Sequence, residues 1–168
     1  HSVVAVENRI FSIGGYDDKQ RFSTVYSATV QDGGLLSSWT AVNDLPLKLV
    51  LHSAATLHLC IFVVGGVSEN NAPLKTVFHT NVDGDTLSYW AQDPQELPEA
   101  RFRATASAYE YKTDTSLGFL YLVGGFDGAA TSRKVFMSKV MNDCSLGKWQ
   151  TVRELPKLLH YHASVIYN

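Results

Sequence analysis

Ile61-Phe62-Val63-Val64-Gly65-Gly66 is the stretch that decides the fold, because closely similar stretches occur twice more in the chain. The counterparts are Ile10-Phe11-Ser12-Ile13-Gly14-Gly15 and Leu120-Tyr121-Leu122-Val123-Gly124-Gly125. The first glycines of successive stretches lie 51 and then 59 residues apart. An apolar run that recurs about every fifty residues indicates an array of similar structural units.

Three further markers follow each pair of glycines in a fixed order. A valine–aromatic pair comes first, then a tryptophan, and a Leu-Pro pair follows six or seven residues later. The tryptophans are Trp39, Trp90 and Trp149. Four markers that recur three times in the same order are not expected by chance, so we predict three repeats.

Each repeat has the pattern of four short strands. In the second repeat, residues 52–57 are small and alternating, and the apolar run that follows ends at the glycines. A continuous apolar run is typical of a strand covered on both faces. We expect the fourth strand to contain the tryptophan and to end at the proline, which has no N–H to donate to a ladder. Four strands per repeat and no helical periodicity predict an all-β array of β-propeller blades.

The markers resemble kelch repeats across essentially the whole chain, and the spacing from Val25 to Trp39 resembles kelch arrays of prokaryotic proteins, many of them secreted. The resemblance implies a kelch β-propeller, a ring that usually has six or seven blades, and it favours an extracellular location. The chain departs from the pattern in two respects. The third repeat has about seven extra residues, Glu110 to Gly118, between its first two strands. Kelch repeats often carry an arginine three residues after the proline, and only Arg101 fits, with Leu49 and Leu159 in the other repeats.

We expect three four-stranded blades and one extra inner strand, forming half or part of a larger ring. The predicted boundaries are about 1–47, 52–98 and 104–156 for the blades and 162–168 for the inner strand of a next blade. The chain could be a segment of a larger propeller, a half-ring completed by a second copy, or an isolated three-bladed monomer. The last would leave an apolar blade face and unpaired strand edges in water.

Composition excludes several classes of protein. The net charge of −2 and the absence of a Lys/Arg cluster argue against a nucleic-acid-binding protein. No apolar stretch approaches the roughly 18 residues that a membrane-spanning helix needs. Cys60 lies in an apolar strand and Cys144 in a polar turn, at different positions of different repeats. A disulfide between them is therefore not expected.

The sequence predicts no cofactor, no metal site and no catalytic group. His1, His52 and His162 recur at the start of the first strand, but the third repeat has Ala104 there, and a metal site needs three or four converging ligands. No helix follows the glycines, so they are not a phosphate-binding loop. No nucleophile–base motif occurs.

Candidate binding residues lie in loops that differ between the repeats, where function in repeat folds is concentrated. We expect the loops after the glycines and the connectors between blades to share one face. Arg101 and Arg103 could clamp a carboxylate or stack on a planar ligand. The full set of candidates is Tyr16, Asp17, Arg21, Arg101, Arg103, His160 and Tyr161.

The sequence therefore predicts a non-catalytic module that binds a protein or a glycan through variable loops, or assembles with copies of itself that complete the ring. The kelch resemblance implies one alternative, a carbohydrate-active enzyme such as a sialic acid mutarotase. Such an enzyme uses polar and arginine residues at the mouth of its ring, and Arg101 and Arg103 keep this alternative open.

Overall fold

The computed structural model describes residues 1–166, which form three large antiparallel sheets that we call blades 1, 2 and 3, and one small two-stranded sheet. In blade 1 the strands lie side by side in chain order, and a 3-10 turn at Asp32–Gly34 precedes the last of them. They are β1 (Ser2–Val6), β2 (Arg9–Tyr16), β3 (Arg21–Thr29) and β4 (Thr40–Ala41).

Blade 2 has the same order of strands and one small addition. Its region contains β5 (Leu49–Val50), β6 (Ser53–Leu57), β7 (Cys60–Val64), β8 (Val67–Ser68), β9 (Val77–Asp83), β10 (Thr86–Leu87) and β11 (Ala91–Gln92). The four strands of the blade are β6, β7, β9 and β11, and β10 forms a hairpin with β9. Strands β5 and β8 pair with each other outside the blade.

Blade 3 contains a longer first hairpin. Its strands are β12 (Thr105–Thr113), β13 (Ser116–Val123), β14 (Val135–Met141) and β15 (Gln150–Thr151). The additional residues of the third repeat, at 110–118, extend β12 and β13 as far as the pair Thr113 and Ser116. The prediction of four strands per repeat is confirmed, except that each tryptophan immediately precedes the fourth strand instead of lying in it.

The segment after blade 3 runs beside the first strand of that blade. The hydroxyl oxygen of Ser164 lies 2.8 Å from that of Ser107 and also contacts that of Thr105. Residues 162–166 form no strand ladder, and residues 167 and 168 lie outside the described part of the chain. The extra inner strand expected at 162–168 therefore stays a prediction.

The core consists of two apolar interfaces between neighbouring blades, each formed by two different kinds of sheet face. One kind, which we call the forward face, belongs to the preceding blade. The other kind, which we call the Trp face, belongs to the following blade and includes its tryptophan. Blade 1 contributes to its forward face Val4, Val6, Phe11, Ile13 and Val25. Blade 2 contributes to its Trp face Ile61, Val63, Phe78, Val82, Leu87 and Trp90.

The second interface repeats the first. Blade 2 presents to blade 3 a forward face of Ala55, Leu57, Cys60, Phe62, Val64 and Val77. The Trp face of blade 3 packs against it and is formed by Leu120, Leu122, Phe136, Val140, Leu146 and Trp149. Blade 2 is apolar on both faces because it is covered on both sides, as its continuous apolar strand predicted.

A hydrogen bond from each tryptophan fixes the position of one blade on the next. The indole nitrogen of Trp90 donates to the backbone oxygen of Asn43 at 2.9 Å, and that of Trp149 donates to the backbone oxygen of Gln95 at 3.0 Å. Both acceptors lie two residues before a Leu-Pro pair. Buried indole nitrogens need such a partner, so the tryptophans both fill and orient the interface.

A disulfide joins Cys60 to Cys144 across the second interface, with the Cα atoms 5.6 Å apart. The expectation that these cysteines would not be bridged is wrong. That expectation rested on the different positions that the two cysteines occupy within their repeats. Stacking of blade 3 on blade 2, however, places the start of β7 against the turn after β14. At the equivalent place of the first interface, the Arg9 guanidinium donates to the backbone oxygen of Gly84 at 2.9 Å.

The paired glycines allow the connectors to pass close to the blades. Gly65 has a φ of +62°, and a Cβ atom there would lie 2.2 Å from the backbone oxygen of Arg101. The N–H of Gly66 donates to that same oxygen at 2.7 Å. Only glycine combines this backbone conformation with this approach, so the predicted structural role of the glycines is confirmed.

Candidate binding site

The two families of variable loops lie together on one side of the blades, as the sequence predicted. Strand β5, in the connector before blade 2, pairs with β8, in the loop after the glycines of that blade. Phe102, in the next connector, pairs through its backbone with Phe126 in the corresponding loop of blade 3. We call this side, formed by residues 16–21, 47–51, 67–74, 99–103, 126–133 and 157–161, the loop face.

Three connector residues on the loop face share an unusual backbone conformation. Leu51, Arg103 and Tyr161 have φ values of 57°, 54° and 56°. The N–H of Arg103 donates to the oxygen of Leu51, and the N–H of Tyr161 donates to the oxygen of Arg103, both at 3.0 Å. A left-handed conformation costs a bulky residue roughly 1–3 kcal/mol and is retained where the surroundings enforce it, often at functional sites.

The Arg103 guanidinium lies over two aromatic rings. Its guanidinium carbon lies 4.4 Å from the ring centre of Tyr161 and 5.3 Å from that of Phe102. Tyr161 is 64% exposed and Arg103 is partly buried, so the stacked pair reaches the surface of the loop face. A guanidinium held flat against aromatic rings keeps its edge free to bind a planar anion.

Further aromatic contacts extend this pair into a cluster. The rings of Phe102 and Phe126 meet edge to face, with centres 5.4 Å apart, and His160 lies 5.4 Å from Tyr161. The Nδ1 atom of His160 lies 3.0 Å from the hydroxyl oxygen of Thr131. We call these residues, Phe102, Arg103, Phe126, His160 and Tyr161, the aromatic–arginine cluster.

Within the described part of the chain, Arg103 has no anionic partner of its own. Among residues 1–166 no carboxylate forms an ion pair with it, and its Nε atom is buried without a hydrogen-bond partner. An arginine positioned by stacking rather than by a carboxylate can bind an anion without first breaking an ion pair.

Arg101 lies in a different environment, beneath the loop face and only 1% exposed. Its Nη2 atom donates to Glu99 at 2.6 Å and to the Ser132 hydroxyl oxygen at 3.1 Å, and its guanidinium lies over the ring of Phe136. Of the two arginines that the sequence suggested as a clamp, Arg101 is buried and Arg103 is partly exposed. Arg101 instead fixes the connector between blades 2 and 3.

The carboxylates around Arg101 are held in their charged form. The hydrogen bond from Lys134, followed by that from Arg101, lowers the pKa of Glu99 below its ordinary value. Backbone N–H groups of Ala130 and Ala129 lower the pKa of Asp127 in the same way. This network of charges is internally satisfied, which fits a structural role.

The candidate residues predicted in blade 1 either form exposed surface of the loop face or hold its loops in position. Tyr16 is 56% exposed and, with Arg21, Val50 and Leu51, lines a cavity of about 350 Å³. The carboxylate of Asp17 accepts hydrogen bonds from the backbone of Lys19 and Gln20, and those bonds lower its pKa. Asp17 therefore shapes its own loop.

Arg21 joins two loops. Its guanidinium donates to the backbone oxygen of Ser68 and to the side chain of Asn71, which lie in the loop of the next blade. Because Leu51 lines the cavity beside Tyr16 and also accepts the hydrogen bond from Arg103, the loop face is continuous from Tyr16 to Tyr161.

Sequence reasoning missed Leu51 and Phe126. A signal for Leu51 exists, because Leu51, Arg103 and Tyr161 all lie five residues after the proline of a Leu-Pro pair. Aligning the connectors from that proline would have identified the row of left-handed residues. Phe126 carries no such signal, since its position beside Phe102 depends on how the loops pack.

Between residues 1 and 166, no helix is long and apolar enough to cross a membrane. No group of three or more His, Cys, Asp or Glu side chains in that part of the chain is placed to hold a metal ion.

Comparison with known proteins agrees with this architecture. The motif family described as "Kelch motif" matches residues 1–27. The curated Kelch-like protein 38 of Rattus norvegicus is 21% identical over 153 residues, which cover 91% of this chain and 24% of that protein. The solved structure titled "Structure of YjhT" superposes with a TM-score of 0.71 at 14% identity and covers 99% of this chain.

The stacked four-stranded blades and the structural match define the chain as a β-propeller protein. The motif match and the sequence relative support a kelch-repeat family. The chain spans about a quarter of the curated relative and 58% of the solved structure, so the activities of whole kelch proteins are not transferred to it.

Proposed function

We propose that this kelch chain is a non-catalytic binding module whose loop face takes up a protein segment through an acidic side chain. The observation that carries the proposal is the environment of the Arg103 side chain. It is stacked on Tyr161 and Phe102, lacks an ion pair among the described residues, and is positioned by a hydrogen-bonded, left-handed backbone.

The surroundings of Arg103 suit protein recognition. Binding energy at protein interfaces is concentrated in a few aromatic and arginine residues that are held rigid before the partner arrives. Tyr161 and Tyr16 add exposed aromatic surface at the two ends of the loop face. The support beneath comes from Arg101 and Arg21, which fix the connectors and loops by contacts within the chain.

A glycan ligand is a second candidate, because an acidic sugar would present the same carboxylate to Arg103. The burial of Arg101 leaves Arg103 as the single arginine among the cluster residues for that carboxylate. We therefore favour a protein partner, whose larger contact area can use the neighbouring aromatic rings.

The test is selection from a library of random peptides displayed on phage, followed by calorimetric titration of the selected peptides. We expect enrichment in Asp and Glu. We expect Arg103→Ala to weaken binding at least roughly tenfold, and Arg103→Lys to restore only part of it, because lysine keeps the charge but not the planar stacking. The matched control is Arg153→Ala, which removes an exposed arginine outside the loop face.

Two results would overturn the proposal. Selected peptides that bind the wild-type and Arg103→Ala chains equally would exclude the assigned site. Exchange between the anomers of free sialic acid, accelerated by the wild-type chain in an NMR measurement, would exclude the non-catalytic assignment.

A further inference from the structure

His52 is a buried histidine whose ring has no hydrogen-bond partner. It is 7% exposed, and among residues 1–166 neither of its ring nitrogens meets a donor or an acceptor in hydrogen-bonding geometry. No carboxylate in that range forms an ion pair with it, whereas His58 and His79 each lie beside one. Such an environment suits only the neutral ring, because nothing there compensates a buried positive charge.

Two glycines form the niche that holds this histidine. A Cβ atom at Gly14 would lie 3.1 Å from the Cε1 atom of the His52 ring, and one at Gly66 would lie 2.8 Å from the Cβ atom of His52. The Ser2 hydroxyl donates to the backbone oxygen of His52 at 3.1 Å. The histidine therefore ties the connector before blade 2 to both blade 1 and blade 2.

The same connector supports Arg103. His52 directly follows Leu51, whose backbone oxygen accepts the hydrogen bond from the Arg103 N–H at 3.0 Å. Leu51 has a φ of 57°, a conformation that a leucine keeps only where its surroundings enforce it. The ring of the next residue, fixed in its niche, supplies this restraint. Ala104 follows Arg103 in the next connector, so no equivalent ring holds Arg103 itself.

We propose that His52 makes the loop face sensitive to acid. When the ring takes up a proton it leaves the niche, Leu51 is no longer held, and the Arg103 N–H loses its acceptor. A partner bound by Arg103 is then released. This release rests on the proposed function, whereas the opening of the connector does not.

The groups around the ring act in the required direction. Burial is the largest cause that lowers the His52 pKa to about 4, and the positive amino group of His1 adds to it. The backbone oxygen of Ile13 favours the charged ring and has the smallest effect of the three. The backbone oxygens of Leu49 and Phe22, which lie beside the same glycine, do not titrate. Because burial is the largest cause, the niche disfavours the charged ring with or without that amino group.

Other titratable groups of the loop face do not oppose this effect or imitate it. Hydrogen bonds lower the pKa values of Glu99 and Asp127, so the charge network beneath the loop face persists at pH 5. Protonation of His160 would add a positive charge to the aromatic–arginine cluster and would strengthen the binding of an acidic partner. Burial, followed by the charge of His160, lowers the pKa of His162, which therefore acts in the same direction as His52.

The first experiment measures hydrogen exchange of the Arg103 amide by NMR at pH 7.5 and pH 5, as protection relative to an unstructured peptide at the same pH. The His52 ring has a pKa of about 4 in the niche and an ordinary 6.5 once it is free, so the open connector should gain roughly thirtyfold between the two pH values. Protection of the Arg103 amide should fall by up to this factor. The amides of β7, which exchange only when the blades open, should stay better protected than Arg103 at both pH values.

Substitution of the histidine separates its effect from those of the other groups. His52→Asn does not titrate, so its Arg103 protection should change by less than about threefold between the two pH values. His52→Gln takes its place if the asparagine variant does not fold. The matched control is His58→Asn, because His58 lies in the turn between β6 and β7 beside Glu110 and should behave as the wild type does.

Three results of this experiment would overturn the proposal. One is wild-type Arg103 protection that does not depend on pH. Another is protection of Arg103 equal to that of β7 at both pH values, because the connector would then open only with the whole chain. The third is the same loss of protection in the His52 variant as in the wild type.

The second experiment tests the release. A peptide obtained by the phage selection at pH 7.5 is titrated calorimetrically into the wild-type, His52→Asn and His58→Asn chains at pH 7.5 and pH 5. The strained conformations of Leu51, Arg103 and Tyr161 lower the cost of opening, so binding to the wild type should weaken at least roughly threefold at pH 5. The His58 control should weaken equally, and the His52 variant should not.

The two experiments also separate this inference from the proposed function. Peptides that depend on Arg103 but bind the wild type equally at both pH values would overturn the release and leave the proposed function standing. Peptides that bind without Arg103 would overturn the proposed function and the release together. Exchange of the Arg103 amide then decides alone whether acid opens the connector.

Discussion

Arg103 and Tyr161 are joined twice, by a backbone hydrogen bond of 3.0 Å and by stacking of the guanidinium 4.4 Å from the ring centre. They are brought together because each occupies the same place in its connector, five residues after a proline. Arg101, only two residues before Arg103, is buried beneath the loop face. The two arginines should therefore respond differently to substitution.

Arg101→Met should lower the free energy of unfolding by roughly 2–3 kcal/mol, because it removes the bonds to Glu99 and Ser132 from the connector. Arg103→Ala should lower it by less than about 1 kcal/mol, as expected for a partly exposed side chain that forms no ion pair with residues 1–166. Urea unfolding of both variants measures the difference. Equal losses would contradict the separate roles that we assign to them.

Removal of the disulfide should destabilise the chain substantially. Cys60 and Cys144 are 84 residues apart in sequence, and the bridge restricts that long loop in the unfolded chain. For a loop of this length the chain-entropy argument gives about 4.5 kcal/mol. The Cys60→Ala/Cys144→Ala double variant should show this loss in denaturant unfolding. Reductant should weaken the wild type to the same level and leave the double variant unaffected.

His52 should make stability depend on pH in a defined window. Its burial lowers the pKa from an ordinary 6.5 to about 4, because the charged ring is disfavoured there. Below pH 6.5 the unfolded chain therefore takes up a proton that the folded chain does not. Stability should fall as the pH drops from 6.5 towards 4, by about 3 kcal/mol in all.

The comparison that isolates this effect is His52→Asn, whose stability should change much less between pH 6.5 and 4.5. The other titratable groups are the same in the wild type and the variant, so their effects on stability cancel when the two pH profiles are subtracted. Burial also lowers the pKa of His162. Hydrogen bonds lower the pKa values of Asp127 and Asp143, and the stability that these two carboxylates contribute is lost only as the pH falls below about 4. Parallel pH profiles for wild type and variant would exclude His52 as the source.

Gly65→Ala should be far more destabilising than Gly33→Ala, although both glycines have positive φ, +62° and +76°. A Cβ at Gly65 would lie 2.2 Å from the backbone oxygen of Arg101, whereas nothing lies within 4 Å of one at Gly33. The backbone conformation alone accounts for roughly 1 kcal/mol at either site. Thermal unfolding of the two variants separates the clash from this common penalty.

The sequence was sufficient to predict the blades, because their information is local and repeated. Strands covered on both faces are continuously apolar, and the tryptophan and Leu-Pro markers recur in step with them. The shared loop face also followed from the repeat, since equivalent loops must leave equivalent sheets on the same side. The predicted fold therefore needed no information about which blade packs on which.

The remaining features depend on contacts between blades. The bond between Cys60 and Cys144 arises only when blade 2 and blade 3 are stacked, so spacing along the chain could not reveal it. The burial of Arg101 likewise depends on Phe136 and Ser132 of the next blade. Sequence reasoning ranked Arg101 and Arg103 alike because charge and spacing do not distinguish a paired, covered arginine from a stacked, accessible one.

The bridge between blades 2 and 3 also has a consequence for how the chain is made. It uses both cysteines of these 168 residues, so oxidation within this stretch can give only one intramolecular disulfide. Such a bond persists where glutathione does not reduce it. We therefore expect expression in the periplasm or the secretory pathway to yield the fully stable protein, and expression in a reducing cytosol to yield a thiol form whose last two blades are held together by packing alone.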